Sequence, residues 1–350
     1  MTKKTAVIAG ASGLIGRRIA EQLLTDPQWA VTGLARRTQT RPGMQWIAVD
    51  LADQADVEKK LAGISATHIF YAARYDHPVE GKTEDVETNT RMLKNLLDAI
   101  ETGGSLEHVH ALHGSKWYGH QLGPVRLPLE EDGSARSPNE NYYFEQDALL
   151  RARSAGKAWA YSSSRPHAFC DPSVDLPRSI GLVIAVYAAV QRELGLALDF
   201  PGNAKGYQAR TQFTDLGLLA RAIVWMATEP RCRNEAFNVV NGDNPRWCEI
   251  WRRFAAELGM PEGQPRAIKL ADYMKDKGPV WDAIVKKHAL RAPPLDKVAL
   301  WAYGDYQFRP DWDVFSSMKK ARVRGFAETL DSAEMFARQF ENYRKVKIIP

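Results

Sequence analysis

The sequence predicts an α/β protein in which a doubly wound parallel sheet is followed by a smaller, mainly helical C-terminal lobe. Short β-rich runs alternate with helical patterns over the first two thirds of the chain, and this alternation favours parallel strands joined by helices. The final third differs, because tryptophans recur there among many lysines and arginines. With 350 residues, the chain can form one large domain or two closely joined lobes.

The individual elements follow from hydrophobic periodicity and from the turn residues between the runs. Runs rich in β-branched, aromatic and small apolar residues predict strands at residues 5–9, 30–35, 45–49, 68–71, 107–112, 158–163 and 236–240. Apolar residues spaced three and four apart predict helices at residues 14–24, 55–61, 86–101, 143–154, 247–258 and 332–343. The last two of these helices belong to the C-terminal third.

Composition and charge exclude several classes of protein. The chain is 45% hydrophobic and 25% charged, as in ordinary soluble globular proteins, and it has no run of about 18 apolar residues that could cross a membrane. Its three cysteines are scattered without metal-ligand spacing, so we expect no metal site and a reducing, cytoplasmic location. The net charge is +5, but no dense basic block with interleaved aromatic residues accompanies it, so we expect no nucleic-acid partner.

The first predicted strand runs directly into a glycine-rich turn that opens a helix. In such turns one glycine permits the tight turn, one lets the backbone approach a pyrophosphate, and one lets the helix pack closely. The N–H groups at the helix start then bind the phosphates. We therefore expect a Rossmann-type dinucleotide site whose first contacts come from Gly10, Ser12, Gly13, Leu14, Ile15 and Gly16.

The end of the second predicted strand indicates which dinucleotide binds. NAD-binding proteins place a carboxylate there to hold the ribose 2′-hydroxyl, whereas this chain has Arg36 and Arg37. Two guanidinium groups suit a 2′-phosphate, so the predicted cofactor is NADPH. Further cofactor contacts are expected at the ends of the third and fourth strands, from Asp50, Leu51, Tyr71 and Ala72.

The candidate catalytic residues are not in their usual places. Residues 118 and 119 align with the Tyr-Gly pair that follows the catalytic serine of extended short-chain dehydrogenases, and this alignment puts the serine position on Gly114. If Tyr143 is the catalytic tyrosine, its usual lysine position holds Asp147, which we expect on the helix surface or behind the site. A lysine occurs instead at Lys116, on the loop after the fifth strand. This rearrangement suggests an altered reaction.

Several motifs along the chain carry a resemblance to one protein family. They are Gly10-x-x-Gly13-x-x-Gly16, Ala35-Arg36-Arg37, Thr67-His68-Ile69-Phe70-Tyr71, Asn89-x-x-Met92-Leu93-x-Asn95, Gly114-Ser115-Lys116-Trp117-Tyr118, Asn141-Tyr142-Tyr143-x-x-x-Asp147, Arg165-Pro166, Asn234-Glu235-Ala236-Phe237-Asn238-x-x-Asn241-Gly242-Asp243 and the terminal Ile348-Ile349-Pro350. With these motifs the chain resembles the progesterone 5β-reductase and iridoid synthase-like enone reductases, which are atypical extended short-chain dehydrogenases/reductases.

The resemblance implies NADPH-dependent 1,4-reduction of the C=C bond of an activated enone, an α,β-unsaturated ketone or aldehyde. Hydride reaches the β-carbon and negative charge builds on the carbonyl oxygen, where a hydrogen-bond donor stabilises the enolate. Tyr143 is the expected donor and Lys116 its electrostatic partner, because a nearby ammonium makes a phenol a stronger donor. The resemblance also implies that Lys116, Tyr143 and Pro166 contact the cofactor.

The substrate side departs from the family pattern. Arg74 stands where plant members have Trp, residues 170–177 differ from the usual loop, and residues 119–121 are inserted. These departures leave the identity of the substrate open, including whether steroids are accepted. The residues expected in the substrate pocket are Arg74, Trp117, Tyr118 and Trp301.

Two other functions remain open from the sequence. A carbonyl reductase or epimerase on the same fold would need a cation beside the tyrosine, and a non-catalytic NADP-sensing regulator would be expected to lack the tyrosine–lysine pair. In every case we assign the NADP-binding core to residues 1–165 and 212–240, and the substrate-binding lobe to 166–211 and 241–350. The expected partner is a small-molecule enone substrate. We expect no membrane association, and the sequence is compatible with a homodimer.

Overall fold

The structure, a computed structural model, describes residues 3–76, 84–133 and 141–350. Its strands are β1 (Lys4–Ala9), β2 (Trp29–Ala35), β3 (Met44–Ala48), β4 (His68–Tyr71), β5 (His108–Leu112), β6 (Ala160–Pro166), β7 (Phe169–Cys170), β8 (Leu198–Phe200), β9 (Thr214–Asp215), β10 (Glu235–Val239) and β11 (Glu262–Pro265). Its helices are α1 (Leu14–Leu24), α2 (Gln54–Leu61), α3 (Val86–Glu101), α4 (Tyr142–Ser154), α5 (Ile180–Glu193), α6 (Ala204–Gln208), α7 (Leu216–Thr228), α8 (Trp247–Glu257), α9 (Leu270–Tyr273), α10 (Gly278–His288), α11 (Leu295–Val298), α12 (Trp301–Phe308), α13 (Lys319–Arg324) and α14 (Ser332–Lys345). Short 3-10 helices include Ser115–Tyr118 and His120–Leu122.

Seven of these strands form one parallel sheet in the order β3-β2-β1-β4-β5-β6-β10. The direction of the strand order reverses between β1 and β4, which are neighbours in the sheet. At such a switch point the loops after the two strands diverge and leave a crevice at their carboxyl ends, where open α/β sheets bind ligands. The predicted doubly wound parallel sheet is confirmed.

Helices cover both faces of the sheet. On one face Leu23 of α1 and Ile223 of α7 are fully buried against the strands. On the other face Leu97 of α3 and Leu150 of α4 are also fully buried. Burying a side chain of this size contributes about 1.5–3 kcal/mol, so these two layers hold the sheet, and therefore the ends of its strands, in place.

A third apolar core lies in the lobe that follows the sheet. Its central helix, α5, is apolar on every side and is buried from Ile180 to Gln191. A helix without a polar face is stable only inside a core, so this composition explains its position. Trp251 and Trp281 are fully buried in the same core. The sequence did not predict α5, since uniform apolarity shows no helical period. Within the described residues, no helix is both long and apolar enough to cross a membrane.

Strand β6 begins and ends later than predicted, at Ala160–Pro166 instead of residues 158–163. Its serines look like a strand end by propensity, but they are paired inside the sheet. The buried imidazole of His110 forms hydrogen bonds with Ser162 at 2.9 Å and with Ser164 at 3.0 Å. Because these polar groups satisfy each other, the strand continues through them.

Candidate active site

Only a hydrogen atom fits at two positions of the glycine-rich turn after β1. A Cβ at Gly10, where φ is +78°, would lie 2.7 Å from the carbonyl oxygen of Ala72. A Cβ at Gly16 would lie 2.3 Å from the carbonyl oxygen of Gly10. Helix α1 therefore starts tight against the turn at Leu14, and among the described residues no side chain caps it at Gly13. An uncapped helix start in a crevice is suited to bind phosphate.

A cleft of about 520 Å³ runs from this turn to the start of α4. This volume is in the range of ordinary cofactor and small-molecule sites. The predicted cofactor-binding residues that line it are Gly10, Ser12, Gly13, Leu14, Ile15, Gly16, Arg36, Asp50, Leu51, Ala72 and Tyr143. The structure thus brings most of the predicted dinucleotide contacts together around one cleft.

The other predicted cofactor contacts lie beside or behind this cleft. Arg37 is exposed on the loop after β2, and Pro166 is the last residue of β6. Tyr71 is buried, its hydroxyl lies 3.5 Å from the carbonyl oxygen of Asn89, and burial raises its pKa above the usual value. Tyr71 is therefore a core residue that packs behind the cleft and does not line it.

Tyr143 stands in this cleft beside the end of β5, with its ring buried. Helix α4 begins here because the side chain of Asn141 accepts the N–H of Tyr143 at 3.1 Å. The Tyr143 ring lies 5.0 Å from the ring of His113, measured between centroids. A Cβ at Gly114 would lie 3.0 Å from the Tyr143 hydroxyl oxygen. Because Gly114 is the aligned serine position, the phenol reaches the space that a serine side chain would take.

The surroundings of Tyr143 keep its phenol protonated. Burial raises the pKa of Tyr143 well above its usual value, and the Tyr142 hydroxyl and the Glu84 carboxylate raise it further. The Arg74 guanidinium acts in the opposite direction and lowers this pKa. The site therefore presents a neutral phenol, which is a hydrogen-bond donor, at neutral pH.

Lys116 lies in the 3-10 helix after β5, and its ammonium is held by a carboxylate. It donates to Oε1 of Glu84 at 3.0 Å and lies 5.4 Å from the centroid of the Tyr306 ring. The same Glu84 oxygen lies 3.6 Å from Arg74. The sequence predicted Lys116 as the electrostatic partner of Tyr143. In the structure Arg74 acts on the pKa of Tyr143 directly, and Lys116 is connected to it through Glu84.

Residues 6–350 match the family described as a PRISE-like Rossmann-fold domain. The chain belongs to this family. An (S)-8-oxocitronellyl enol synthase of Nepeta racemosa is 32% identical to it, over 99% of this chain and 94% of the relative. A 3-oxo-Delta(4,5)-steroid 5-beta-reductase of Arabidopsis thaliana is 30% identical, again over 99% of this chain and 94% of the relative. These matches confirm the resemblance that the motifs predicted.

Solved structures share the fold of this PRISE-like protein at lower identity. A short-chain dehydrogenase/reductase superfamily protein from Agrobacterium tumefaciens with bound NAD has a TM-score of 0.70, with 15% identity and 97% of each chain covered. A UDP-glucose 4-epimerase of Thermus thermophilus in complex with NAD has a TM-score of 0.66, with 18% identity over 97% of this chain and 99% of that one. Both confirm the predicted fold class.

The residues predicted for the substrate pocket of this PRISE-like protein do not all lie together. Arg74 lines the cleft. Trp117 instead packs against Arg165, whose guanidinium carbon lies 3.9 Å from its ring centroid. Tyr118 is buried and donates to Oδ1 of Asn238 at 2.7 Å. Tyr118 is therefore a core residue whose buried hydroxyl finds its partner inside the fold, and it does not line the cleft.

Trp301 also lies away from the cleft wall, where its indole N–H donates to the carbonyl oxygen of Leu295 at 3.1 Å. The unusual loop at residues 170–177 does reach the cleft through its last two residues, and Arg178, the next residue, lines the cleft with them. The Arg178 guanidinium carbon lies 5.5 Å from the centroid of the Tyr303 ring.

Sequence reasoning did not find Glu84 or Arg178. Glu84 contacts Lys116 across 32 positions of the chain, and such a contact leaves no local pattern. The sequence does indicate the neighbourhood of Arg178, because residues 170–177 depart from the family pattern directly before it. Asp147, at the usual lysine position, pairs with Arg151 at 3.1 Å on α4, and its side chain is only 14% exposed.

Proposed function

We propose that this protein is an NADPH-dependent reductase of activated enones that adds hydride to the β-carbon of an α,β-unsaturated ketone or aldehyde. The observation that carries the proposal is the neutral, buried phenol of Tyr143 beside Gly114, in the same cleft as the glycine-rich turn. Two full-length relatives support it, since one is named as an enol synthase and the other as a steroid 5-beta-reductase.

The residues of the turn fit a dinucleotide, because Gly10 and Gly16 leave no room for a side chain and the start of α1 has no side-chain cap within the described chain. We propose that the turn holds the pyrophosphate, that Asp50 lies at the adenine, and that Arg36 and Arg37 hold the 2′-phosphate. When bound, NADPH supplies the hydride.

Tyr143 stabilises the negative charge that develops on the carbonyl oxygen of the enone. Its Oη–H donates to that oxygen, and one such donor contributes about 10²–10³ in turnover. The raised pKa of Tyr143 keeps the proton in place at neutral pH. Lys116 supports this donor by neutralising Glu84, the carboxylate that raises the pKa further. Water then supplies the proton that the α-carbon of the enolate takes up.

Carbonyl reduction or epimerisation would place a different demand on the same tyrosine. In the ordinary layout a lysine four residues later helps to ionise it, and here that position is Asp147, paired with Arg151. The pKa of Tyr143 is raised and not lowered, chiefly by burial. These features favour a tyrosine that donates a hydrogen bond over one that removes a proton.

Product analysis tests the proposal. The protein is incubated with NADPH and either cyclohexenone or a linear α,β-unsaturated aldehyde, and the products are separated by gas chromatography. We expect the saturated ketone or aldehyde. An allylic alcohol would identify a carbonyl reductase instead, and NADPH binding without turnover on any enone would contradict the proposal in favour of a sensor.

A further inference from the structure

Two arginines from separate segments converge on one point of the cleft. Nη2 of Arg74 lies 2.7 Å, and Nη1 of Arg178 4.0 Å, from the same carboxylate oxygen, Oδ1 of Asp76. All three residues line the cleft. Arg74 follows β4 and Arg178 precedes α5, so the shape of the cleft, and not local helix geometry, brings the two guanidinium groups together.

Positive charge exceeds negative charge around this point in the part of the chain that the structure describes. The cations are Arg74, Lys116 and Arg178, and the carboxylates are Asp76 and Glu84. Glu84 is only 10% exposed and holds both Lys116 and Arg74. Asp76 is 67% exposed, and a solvated ion pair of this kind contributes little to stability. Of these groups Arg74, Arg178 and Asp76 line the cleft, so one positive charge in excess faces whatever enters it at this point.

We propose that the substrate is an enone that carries a carboxylate, and that Arg74 and Arg178 bind this carboxylate while Tyr143 donates to the enone oxygen. The inference rests on the proposed function. Asp76 shows that both guanidinium groups can face one carboxylate, and the substrate takes its place. Displacing Asp76 costs little because its carboxylate is mostly solvated, whereas a substrate carboxylate that is less solvated between the same arginines forms a stronger, charge-assisted contact.

The phosphates of a dinucleotide are the other anions that could meet these arginines. The glycine-rich turn and the helix start already provide for a pyrophosphate, and Arg36 lines the cleft near them. Arg74 instead acts electrostatically on both Tyr142 and Tyr143, so it lies at the reacting end of the cleft. The affinity of Arg178→Gln for NADPH separates the two assignments.

A matched pair of substrates separates the anion from the enone. A cyclohexenone that carries a ring carboxylate and its methyl ester share the ring and the C=C bond and differ in charge. We expect kcat/KM for the acid to exceed that for the ester by about tenfold or more, as one charge-assisted contact implies. This preference should shrink as salt is added, because salt screens partly exposed charges.

Variants locate the effect. Arg178→Gln should lower the acid-to-ester ratio of kcat/KM about tenfold, mainly through KM of the acid. Asp76→Asn should raise the ratio, because it removes the carboxylate that competes for the arginines. The matched control is Arg309→Gln, which removes a neighbouring positive charge near Tyr306 that does not line this cleft. It should change the ratio much less than Arg178→Gln does.

A binding measurement keeps the test independent of turnover. The saturated keto acid and its ester are titrated by calorimetry into the protein loaded with NADP⁺, and the acid is expected to bind more tightly. Equal treatment of acid and ester in both assays overturns the inference, as does a loss of NADPH affinity in Arg178→Gln. Selective binding of the acid without reduction of any enone would instead overturn the proposed function and leave the anion site in place.

Discussion

The two ends of the cleft are built in different ways. The turn that includes Gly10 and Gly16 is a stretch of consecutive residues whose tight backbone makes the site. The end at Tyr143 is made by charged side chains from separate segments, including Arg74 and Glu84. The first end depends on volume, since a single added carbon has no room, whereas the second depends on a balance of charges. Changes at the two ends should therefore fail in different ways.

A methyl group at the turn should have the largest effect. In Gly10→Ala the new Cβ meets the carbonyl oxygen of Ala72 at 2.7 Å and also sits at φ +78°. Overpacking together with left-handed strain should weaken NADPH binding roughly 100- to 1000-fold. Fluorescence titration of NADPH measures this loss.

Gly63→Ala is the matched control for that variant. Gly63 has a similar φ of +74°, but a Cβ there meets nothing within 4 Å. It should cost about 1 kcal/mol of stability through backbone strain alone, with NADPH affinity unchanged. If Gly10→Ala behaves like Gly63→Ala in both thermal unfolding and titration, volume at the turn is not what builds the cofactor end.

At the Tyr143 end of the cleft, removing one functional group should lower turnover and leave cofactor binding intact. Tyr143→Phe keeps the ring but deletes the donor, and turnover should fall about 100-fold or more. NADPH affinity should change little, and enones that are intrinsically strong acceptors should tolerate the change better. Steady-state kinetics with NADPH titration alongside provides the measurement.

Tyr142→Phe deletes the neighbouring hydroxyl from the same cleft. Since that hydroxyl raises the pKa of Tyr143, its removal should not weaken the donor, and turnover should change less than about tenfold. Full activity of Tyr143→Phe on every accepted enone would place the donor elsewhere.

The two ends also differ in how far the sequence predicts them. At the turn, α1 occupies residues Leu14–Leu24 as predicted, and β4 and α3 also keep their predicted limits. Their signals are local, because a glycine series, an apolar run and a helical period each lie within one segment. By contrast, the predicted limits of β6 were wrong, because the hydrogen-bond partners of its serines lie on the neighbouring strand β5 and leave no local signal.

At the reacting end the sequence predicted Tyr143 with Lys116 as its electrostatic partner, whereas in the structure Arg74 acts on Tyr143 directly and Lys116 pairs with Glu84. The contact of Lys116 with Glu84 and the approach of Arg178 to Asp76 join segments that are distant in the chain. Glu84 precedes α3, Lys116 follows β5 and Arg178 precedes α5, so these groups meet only when the chain has folded. The assignment of residue ranges to two lobes, and of roles to individual site residues, stays a prediction.

Cofactor preference tests whether charge also matters at the end of the cleft beside the glycine-rich turn, where the tight backbone otherwise makes the site. Charge-assisted hydrogen bonds contribute about 1.5–3 kcal/mol each. Only Arg36 lines the cleft, and Arg37 is exposed. The double variant Arg36→Ala/Arg37→Ala should therefore lose about one such bond in full, weakening NADPH about tenfold to 100-fold or more and NADH little. Titration of both dinucleotides checks this, and equal efficiency of NADH and NADPH in the unaltered protein would refute the assignment.

The smallest and most specific effect concerns Lys116. Lys116→Met leaves the Glu84 carboxylate without its ammonium partner, so the negative charge near Tyr143 acts more strongly and raises the pKa of that phenol. A phenol with a higher pKa is a weaker donor, and turnover should fall several-fold, roughly in line with one weakened hydrogen bond. Activity that requires the protonated phenol is lost as the pH rises through this pKa. The alkaline limit of the pH–rate profile should therefore move to higher pH.

Removing both charges separates this explanation from a simpler one. In Lys116→Met/Glu84→Gln the carboxylate that raises the pKa of Tyr143 is gone, so turnover should recover relative to Lys116→Met and the alkaline limit should move back to lower pH. Such recovery in a double variant is the mark of two residues that act on each other. Suppose instead that the double variant is as slow as Lys116→Met and that reduced NADPH affinity accounts for the whole loss. Lys116 then binds the cofactor, and the charge balance at this end of the cleft is set by Arg74 and Glu84 without it.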